Sequence, residues 1–384
     1  MALYRMKNSV QHYSWGSPSL LPELLGIRNP EAEPWAELWM GAHPRNPSMV
    51  ETESGPVPLN DFIARDPVGR LGKGPAERFG ALPFLFKILA AGRPLSIQAH
   101  PGKEAARTGF ARENAAGIPL GAFERNYRDK MHKPEILLAL GDFSALLGFR
   151  SMDEIRHYAD VLGVSVYGRI VADARGDLKT FFRALMSFPE PGKLIADICS
   201  AARGQEEGTF EWILRLEEAY PGDIGVAAPL YMNILELREG EAIYLDAGKI
   251  HAYLGGLGIE LMANSDNVLR GGLTSKHIDL EELCAVLDFS ASKPGLFSPL
   301  PGGNGERIYR PPVDEFMLSR FDLPGGANLD LEHPDSCEIL LCTGGRLRAE
   351  GVFDLAPGDS LFVTADHGSC TLEGEGTLFR AAVP

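Results

Sequence analysis

At 384 residues the chain exceeds one ordinary domain, and its 45% hydrophobic and 23% charged residues suit a globular protein with a sizeable core. Its 37 basic against 52 acidic residues give a net charge of −15, which argues against nucleic acid as a partner. A small anion stays open, because a few clustered Lys and Arg can dominate the field inside one cleft. The opening stretch MALYRMKNSVQHYSWG lacks the apolar run of a secretory signal, and no segment is long and apolar enough for a membrane span. Neither export nor a membrane is therefore expected. The five cysteines, Cys199, Cys284, Cys337, Cys342 and Cys370, contain no CxxC pair. They predict reduced packing thiols in the cytoplasm, and a metal site built from nitrogen and oxygen alone.

From residue 1 to 150 the chain is rich in Pro and Gly, with short apolar runs between turns. LPFLFKILAAGRPLSIQAHP predicts two buried strands joined by a turn at Ala91–Pro94. In a strand, residues two apart share a face, so Ser96, Gln98 and His100 fall on one polar side while Leu95, Ile97 and Ala99 point inward. From 151 to 222 apolar residues recur at helical spacing in SMDEIRHYADVLG, DLKTFFRALMSF, PGKLIADICSAARG and TFEWILRLEEAY. Ser151 and Asp177 are predicted helix caps, with Glu154 completing a capping box, and Pro221-Gly222-Asp223 ends this helical insertion.

Strand texture returns at MNILELREGEAIYLDAGKIHAYLGG and again in the tail from 309 to 384. LREGEAIYLDAGKIHAY and LAPGDSLFVTADHGS form a faint internal repeat, each a strand–turn–strand unit ending in His, like those of a cupin jelly roll. Residues 1–150 and 223–308 are thus expected to form one discontinuous catalytic domain, and 309–384 a second cupin-like β domain. His367 has no evident metal companions in sequence, so the tail reads as a structural copy.

Gln98, His100, Glu135 in HKPE and His251 are potential ligands for a divalent cation with an open position. Each also has an ordinary reading. A histidine in a strand is often a hydrogen-bonded structural residue, and Lys133 with Glu135 is a common surface pair. The segment GGLGIELMANSDNVLRGGLTSKHID sets Asp266 and Arg270 between glycines, where an arginine fork can meet a phosphate or a developing oxyanion. A polar surface loop explains the same composition. Residue types and spacing leave both readings open.

WAELWMGAHP, PLSIQAHP, HKPE and the run from YLDAGKIHAY through NSDNVLRGGLTSKHID resemble the type I phosphomannose isomerase family, and the similarity extends over most of the chain. The resemblance implies a mainly β, cupin-type jelly-roll catalytic domain with a helical insertion. It implies one zinc ion per subunit on Gln98, His100, Glu135 and His251, and a catalytic Arg270. It further implies that Ser96 and Lys276 contact phosphate. Lys133, Glu260, Asp266, Lys87 and Tyr253 become cleft residues that move protons or orient the sugar.

The expected reaction is the interconversion of mannose 6-phosphate and fructose 6-phosphate through a cis-enediol, by a cytoplasmic monomer. Its proton carrier stays open among Lys133, Glu260 and Asp266. Met131 departs from the family, which usually has Asn or Asp there, and Trp15 and Trp39 read as core. An iron oxygenase of cupin type and a non-catalytic sugar-phosphate sensor are the alternatives.

Overall fold

The computed structural model describes residues 3–332 and 336–384. The catalytic sheet is antiparallel and nine-stranded. Its main path runs Ala242–Leu245, Glu135–Phe149, His251–Ala263, Phe84–Ala91, Glu37–Gly41 and Ser9–Gln11. A ten-stranded sheet is built around Met317–Glu332, Ser369–Ala382, Glu338–Ala349 and Ser360–Val363. The N-terminal strand Leu3–Lys7 pairs with Ser360–Val363, and Met49–Thr52 pairs with it on the other side. Chain ends distant in sequence therefore complete one sheet. One apolar core joins the two sheets, with Phe84, Ile88, Ile136 and Ile259 packed among Ile339, Leu341, Phe362 and Phe379.

The helical insertion contains five helices between Met152 and Ala219, where four segments carried a sequence signal. Ser151 forms the expected capping box, its Oγ accepting from the Glu154 amide at 3.2 Å while Glu154 accepts from the Ser151 amide at 3.0 Å. Asp177 caps the helix Leu178–Met186 through the Thr180 amide. The extra helix, Ser165–Asp173, has no side-chain cap and carries Gly168 within it, so its local signal is weak. Packing compensates: Tyr167, Ile170 and Val171 are buried in a core that also holds Ile97, and Leu146 and Phe149 of the strand Glu135–Phe149.

A second helix, Lys103–Ala115, was also not expected, because its sequence is polar around nearly the whole circumference. It is held by specific contacts instead. Glu113 accepts from the Asn126 and Tyr127 amides and pairs with Arg125 at 2.8 Å, while Tyr127 packs against Gly109 where any Cβ would collide with its ring.

In the other direction, the strand expected through PLSIQAH shortens to Gln98–Ala99. The preceding residues stay extended and are laced by single bonds, Leu95 N–H to Tyr253 O and Ile97 N–H to Gly272 O. The inward alternation survives, with Leu95, Ile97 and Ala99 buried. In the tail the strands form as expected, but His367 does have companions. Glu350 and Cys370 place potential ligand atoms within 4.8 Å of it and of each other.

Candidate metal centre and substrate cleft

Three segment ends converge on one point. Glu135 opens the strand Glu135–Phe149, His251 opens His251–Ala263, and His100 closes the extended segment beside Gln98–Ala99. Gln98 lies in register with both His251 and Arg270. The potential ligand atoms of His100, Glu135 and His251 all lie within 4.8 Å of one another, and all three residues are buried.

The imidazoles are oriented from behind. His100 Nδ1–H donates to Asn267 O at 2.8 Å, and His251 Nδ1–H to Lys249 O at 2.9 Å. That tautomer turns each Nε2 lone pair inward. The two Nε2 atoms face the Glu135 oxygens at 3.4 and 3.5 Å, so the converging atoms are acceptors without a proton between them. Such a group is unfavourable until a cation sits within it. Burial, followed by the nearby Lys133 charge, pushes His100 down to about 4, which keeps it neutral and able to ligate. Burial would raise the Glu135 carboxyl, but the Lys133 ammonium at 3.0 Å holds it well below the usual range.

Next to this centre, adjacent strands align Trp39, Lys87 and Glu260 side by side. Lys87 is buried with Nζ 2.7 Å from Glu260 and 3.3 Å from Glu37. Burial opposes its charge, yet Glu260, Glu37 and Glu135 together outweigh that effect and keep it protonated. Burial also raises Glu260, helped by Glu135 and Glu37 despite Lys87. Tyr253 donates to the second Glu260 oxygen at 2.9 Å. Glu37 had not been singled out from sequence. Its signal was a carboxylate two residues before Trp39, on the same strand face, and Trp39 Nε1 donates to it at 2.7 Å. Trp39 is buried as expected, but it also lines the cleft, as does the partly exposed Trp15.

A cavity of about 600 Å³ opens above these groups. Its walls include Ser96, Gln98, Lys87, Lys133, Tyr253, Glu260, Asp266, Arg270 and Lys276, which brings the substrate and proton-transfer expectations to one place. Asp266 is engaged by Arg45 at 2.6 Å and by His43 at 3.5 Å. Burial would raise its carboxyl, but these two partners hold it down. Arg270 is lowered by burial and then by Arg128; Lys276 is lowered by burial and then by Arg270, Arg128 and Arg45. Like charges are therefore gathered at one end of the cleft, an arrangement relieved by an anion. Arg128 and Arg45, absent from the sequence-based set, belong to this group because the fold brings their loops together.

The loop positions of Arg270 and Lys276 depend on the end of the helical insertion. Asp223 accepts from the Gly225, Leu273 and Thr274 amides at 2.7, 2.8 and 3.1 Å. Gly272 has φ +125°, and a Cβ there would meet Gly225 Cα at 2.8 Å, so only glycine allows the approach. On the opposite side, Asn267 donates to Asp129 O and Met131 O and accepts from the Arg128 amide. Met131 takes part through its backbone, its carbonyl accepting from Asn267 and from Ser265. Its side chain lines a separate cavity with Arg107, Lys130 and His132.

Residues 3–152 match the family of the type I phosphomannose isomerase catalytic domain. The chain is 41% identical to the mannose-6-phosphate isomerases of Salmonella typhimurium and of Escherichia coli, over 98% of its own length and 99% of theirs. Its fold is similar to a crystal structure of the Salmonella typhimurium enzyme bound to fructose 6-phosphate and zinc, with TM-score 0.93, 40% identity and complete coverage of both chains. The geometry and the near-complete alignment agree, and this chain belongs to the type I phosphomannose isomerase family.

Proposed function

We propose a division of labour within the cleft. The reaction is the zinc-dependent interconversion of mannose 6-phosphate and fructose 6-phosphate. It requires a proton to pass between C1 and C2, and a cis-enediol is the intermediate that permits this. His100, Glu135 and His251, joined by Gln98, hold the zinc; when bound, it acts as a Lewis acid on the substrate oxygens. The observation that carries this reading is the set of three buried, mutually facing acceptors, one of which, Glu135, lines a cleft that also holds Arg45, Arg128, Arg270 and Lys276.

Arg270, Lys276 and Ser96 bind the phosphate, and that remote binding energy fixes the reacting carbons against the metal centre. Arg270 also adds positive charge where the enediolate develops. Glu260 carries the proton: burial raises its carboxyl above the usual carboxylate value, whereas those of Glu135 and Asp266 are lowered, which makes Glu260 the better proton acceptor of the three. Lys87 and Tyr253 orient Glu260, each by a direct hydrogen bond. Lys133, paired with Glu135 in the cleft wall, orients the sugar, and Asp266, occupied by Arg45 and His43, orients rather than exchanges protons.

A pair of histidines with one carboxylate also suits a non-haem iron oxygenase. Nothing in that chemistry needs the cationic end of the cleft, whereas a sugar phosphate does. The zinc and phosphate groups come from this one chain, which supports action as a monomer. Five buried, free thiols support a cytoplasmic setting. Among the described residues no helix is long and apolar enough to cross a membrane.

The deciding experiment is a coupled assay for fructose 6-phosphate formation on chelator-stripped and zinc-reloaded protein, with oxygen uptake followed in parallel. Activity restored by zinc without oxygen uptake supports the isomerase. Oxygen consumption that depends on iron, without sugar-phosphate turnover, refutes it.

A further inference from the structure

We propose that the C-terminal sheet carries a second divalent-cation site, of zinc type, formed by Glu350, His367 and Cys370. The three residues come from separate parts of that sheet. Glu350 follows the strand Glu338–Ala349, His367 lies in the connection after Ser360–Val363, and Cys370 is at the start of Ser369–Ala382. One potential ligand atom from each lies within 4.8 Å of the other two. In a tetrahedral zinc site, bonds of about 2.0–2.3 Å put ligand atoms roughly 3.5 Å apart, so small side-chain rotations close the group.

Two features make the arrangement more than a chance meeting. Backbone bonds hold Glu350 against Cys370: the Glu350 amide donates to Thr371 O at 2.9 Å, and the Thr371 amide donates to Glu350 Oε1 at 2.7 Å. One carboxylate oxygen is thereby fixed, and the Cys370 thiol donates to this same carboxylate, a proton that a bound cation would replace. Independently, His367 follows the strand Ser360–Val363 in the faint sequence repeat in which His251 follows Ala242–Leu245, although His251 opens its next strand and His367 precedes Ser369–Ala382. The donor types are different, however. Sulfur, imidazole and carboxylate together favour zinc over magnesium or calcium, with water as a fourth ligand. The burial pattern gives access from solvent, since Glu350 is exposed, His367 half-buried and Cys370 buried.

Binding would form one bond to each ligand and release the Cys370 thiol proton to solvent, with no change of oxidation state. The result would be a clamp joining the turn after Glu338–Ala349 to both ends of the connection before Ser369. None of the three residues lines the substrate cleft, so the site lies outside the catalytic machinery.

Cobalt(II) separates the two centres because the catalytic ligands contain no sulfur. Full-length protein stripped by a chelator and reloaded with cobalt should take up two ions per chain and show thiolate-to-cobalt charge-transfer absorption. Cys370→Ser should bind one ion and lose that absorption, whereas His251→Ala should bind one ion and keep it. Should Cys370→Ser fail to fold, His367→Ala, at a half-buried position, should weaken cobalt binding at the sulfur-marked site at least ~10-fold. A single equivalent of cobalt with no sulfur absorption overturns the proposal. So does absorption that persists in Cys370→Ser or is unmoved in His367→Ala. Neither result bears on the isomerase, whose zinc site is read separately.

Discussion

The turns that carry His251 and His367 belong to related strand–turn–strand units, yet the fold has surrounded them differently. Around His251 the companions are His100 and Glu135, all three are buried, and the tautomers are set by backbone carbonyls. Around His367 the companions are Glu350 and Cys370, and the group opens to solvent. A repeated backbone unit thus supplies a position for one ligand, while the remaining ligands depend on which other segments cross nearby. The catalytic unit also has a cleft beside it, one wall of which is the Asp223-pinned loop with Arg270 and Lys276. Glu350, His367 and Cys370 do not line that cleft. Chemistry on a substrate follows from that surrounding structure, not from the histidine-bearing turn.

The comparison can be broken most severely at the catalytic centre. Removing zinc, or replacing His251 with Ala, should reduce turnover by about 10³-fold or more, and the variant should lose its zinc as well. A fully metallated, active His251→Ala enzyme would remove it from the ligand set. Arg270→Ala comes next, with an expected loss of ~10²–10³-fold in turnover at saturating substrate and zinc content retained. Normal turnover in that variant would leave the cationic wall a binding surface only. Glu260→Gln should cost ~10²–10⁴-fold in turnover if Glu260 carries the proton, with KM little changed. A variant whose KM rises while its turnover holds would return the proton to Lys133 or Asp266.

A smaller effect concerns pH. Because the His100 pKa is lowered to about 4 in the fold against about 6.5 when unfolded, the unfolded chain binds the extra proton first as pH falls. The stabilising contribution is therefore complete above pH ~6.5 and is lost on descending toward pH ~4. Metal-free protein should show a falling Tm across that window, and His100→Gln should flatten this part of the curve. An unchanged slope would show that the buried imidazole is not a determinant. The smallest expected effect is that of Met131→Asn, which should change stability by less than ~0.5 kcal/mol and turnover by under about twofold. A large change in either would mean that the side chain, and not the backbone held by Asn267, matters there.

Much of the architecture was legible locally. Apolar spacing announced four of the five insertion helices, and Ser151 and Asp177 also marked two of their starts, because each meets a helix amide within three residues. Helices without such signals were not announced: Ser165–Asp173 depends on tertiary burial, and Lys103–Ala115 on the contacts of Glu113 and Gly109. The ligand residues of the catalytic group and Arg270 stood in distinctive motifs. Glu37, Arg45 and Arg128 did not, since a single charged residue has no local property that marks the partner it will meet.

The sequence by itself determined the β-rich frame with its helical insertion, the family, and the set of residues able to hold zinc, because strand alternation, helix caps and long motifs are encoded over short spans. Only the tertiary structure decided how those residues act together. Burial and opposed charges shifted the titration of His100, Glu135, Lys87 and Glu260, and strand register set Trp39, Lys87 and Glu260 in one row. Those effects depend on distance and dielectric between segments far apart in the chain. The same reason explains Cys370: its neighbours in sequence suggest packing, and only the folded sheet brings Glu350 and His367 beside it.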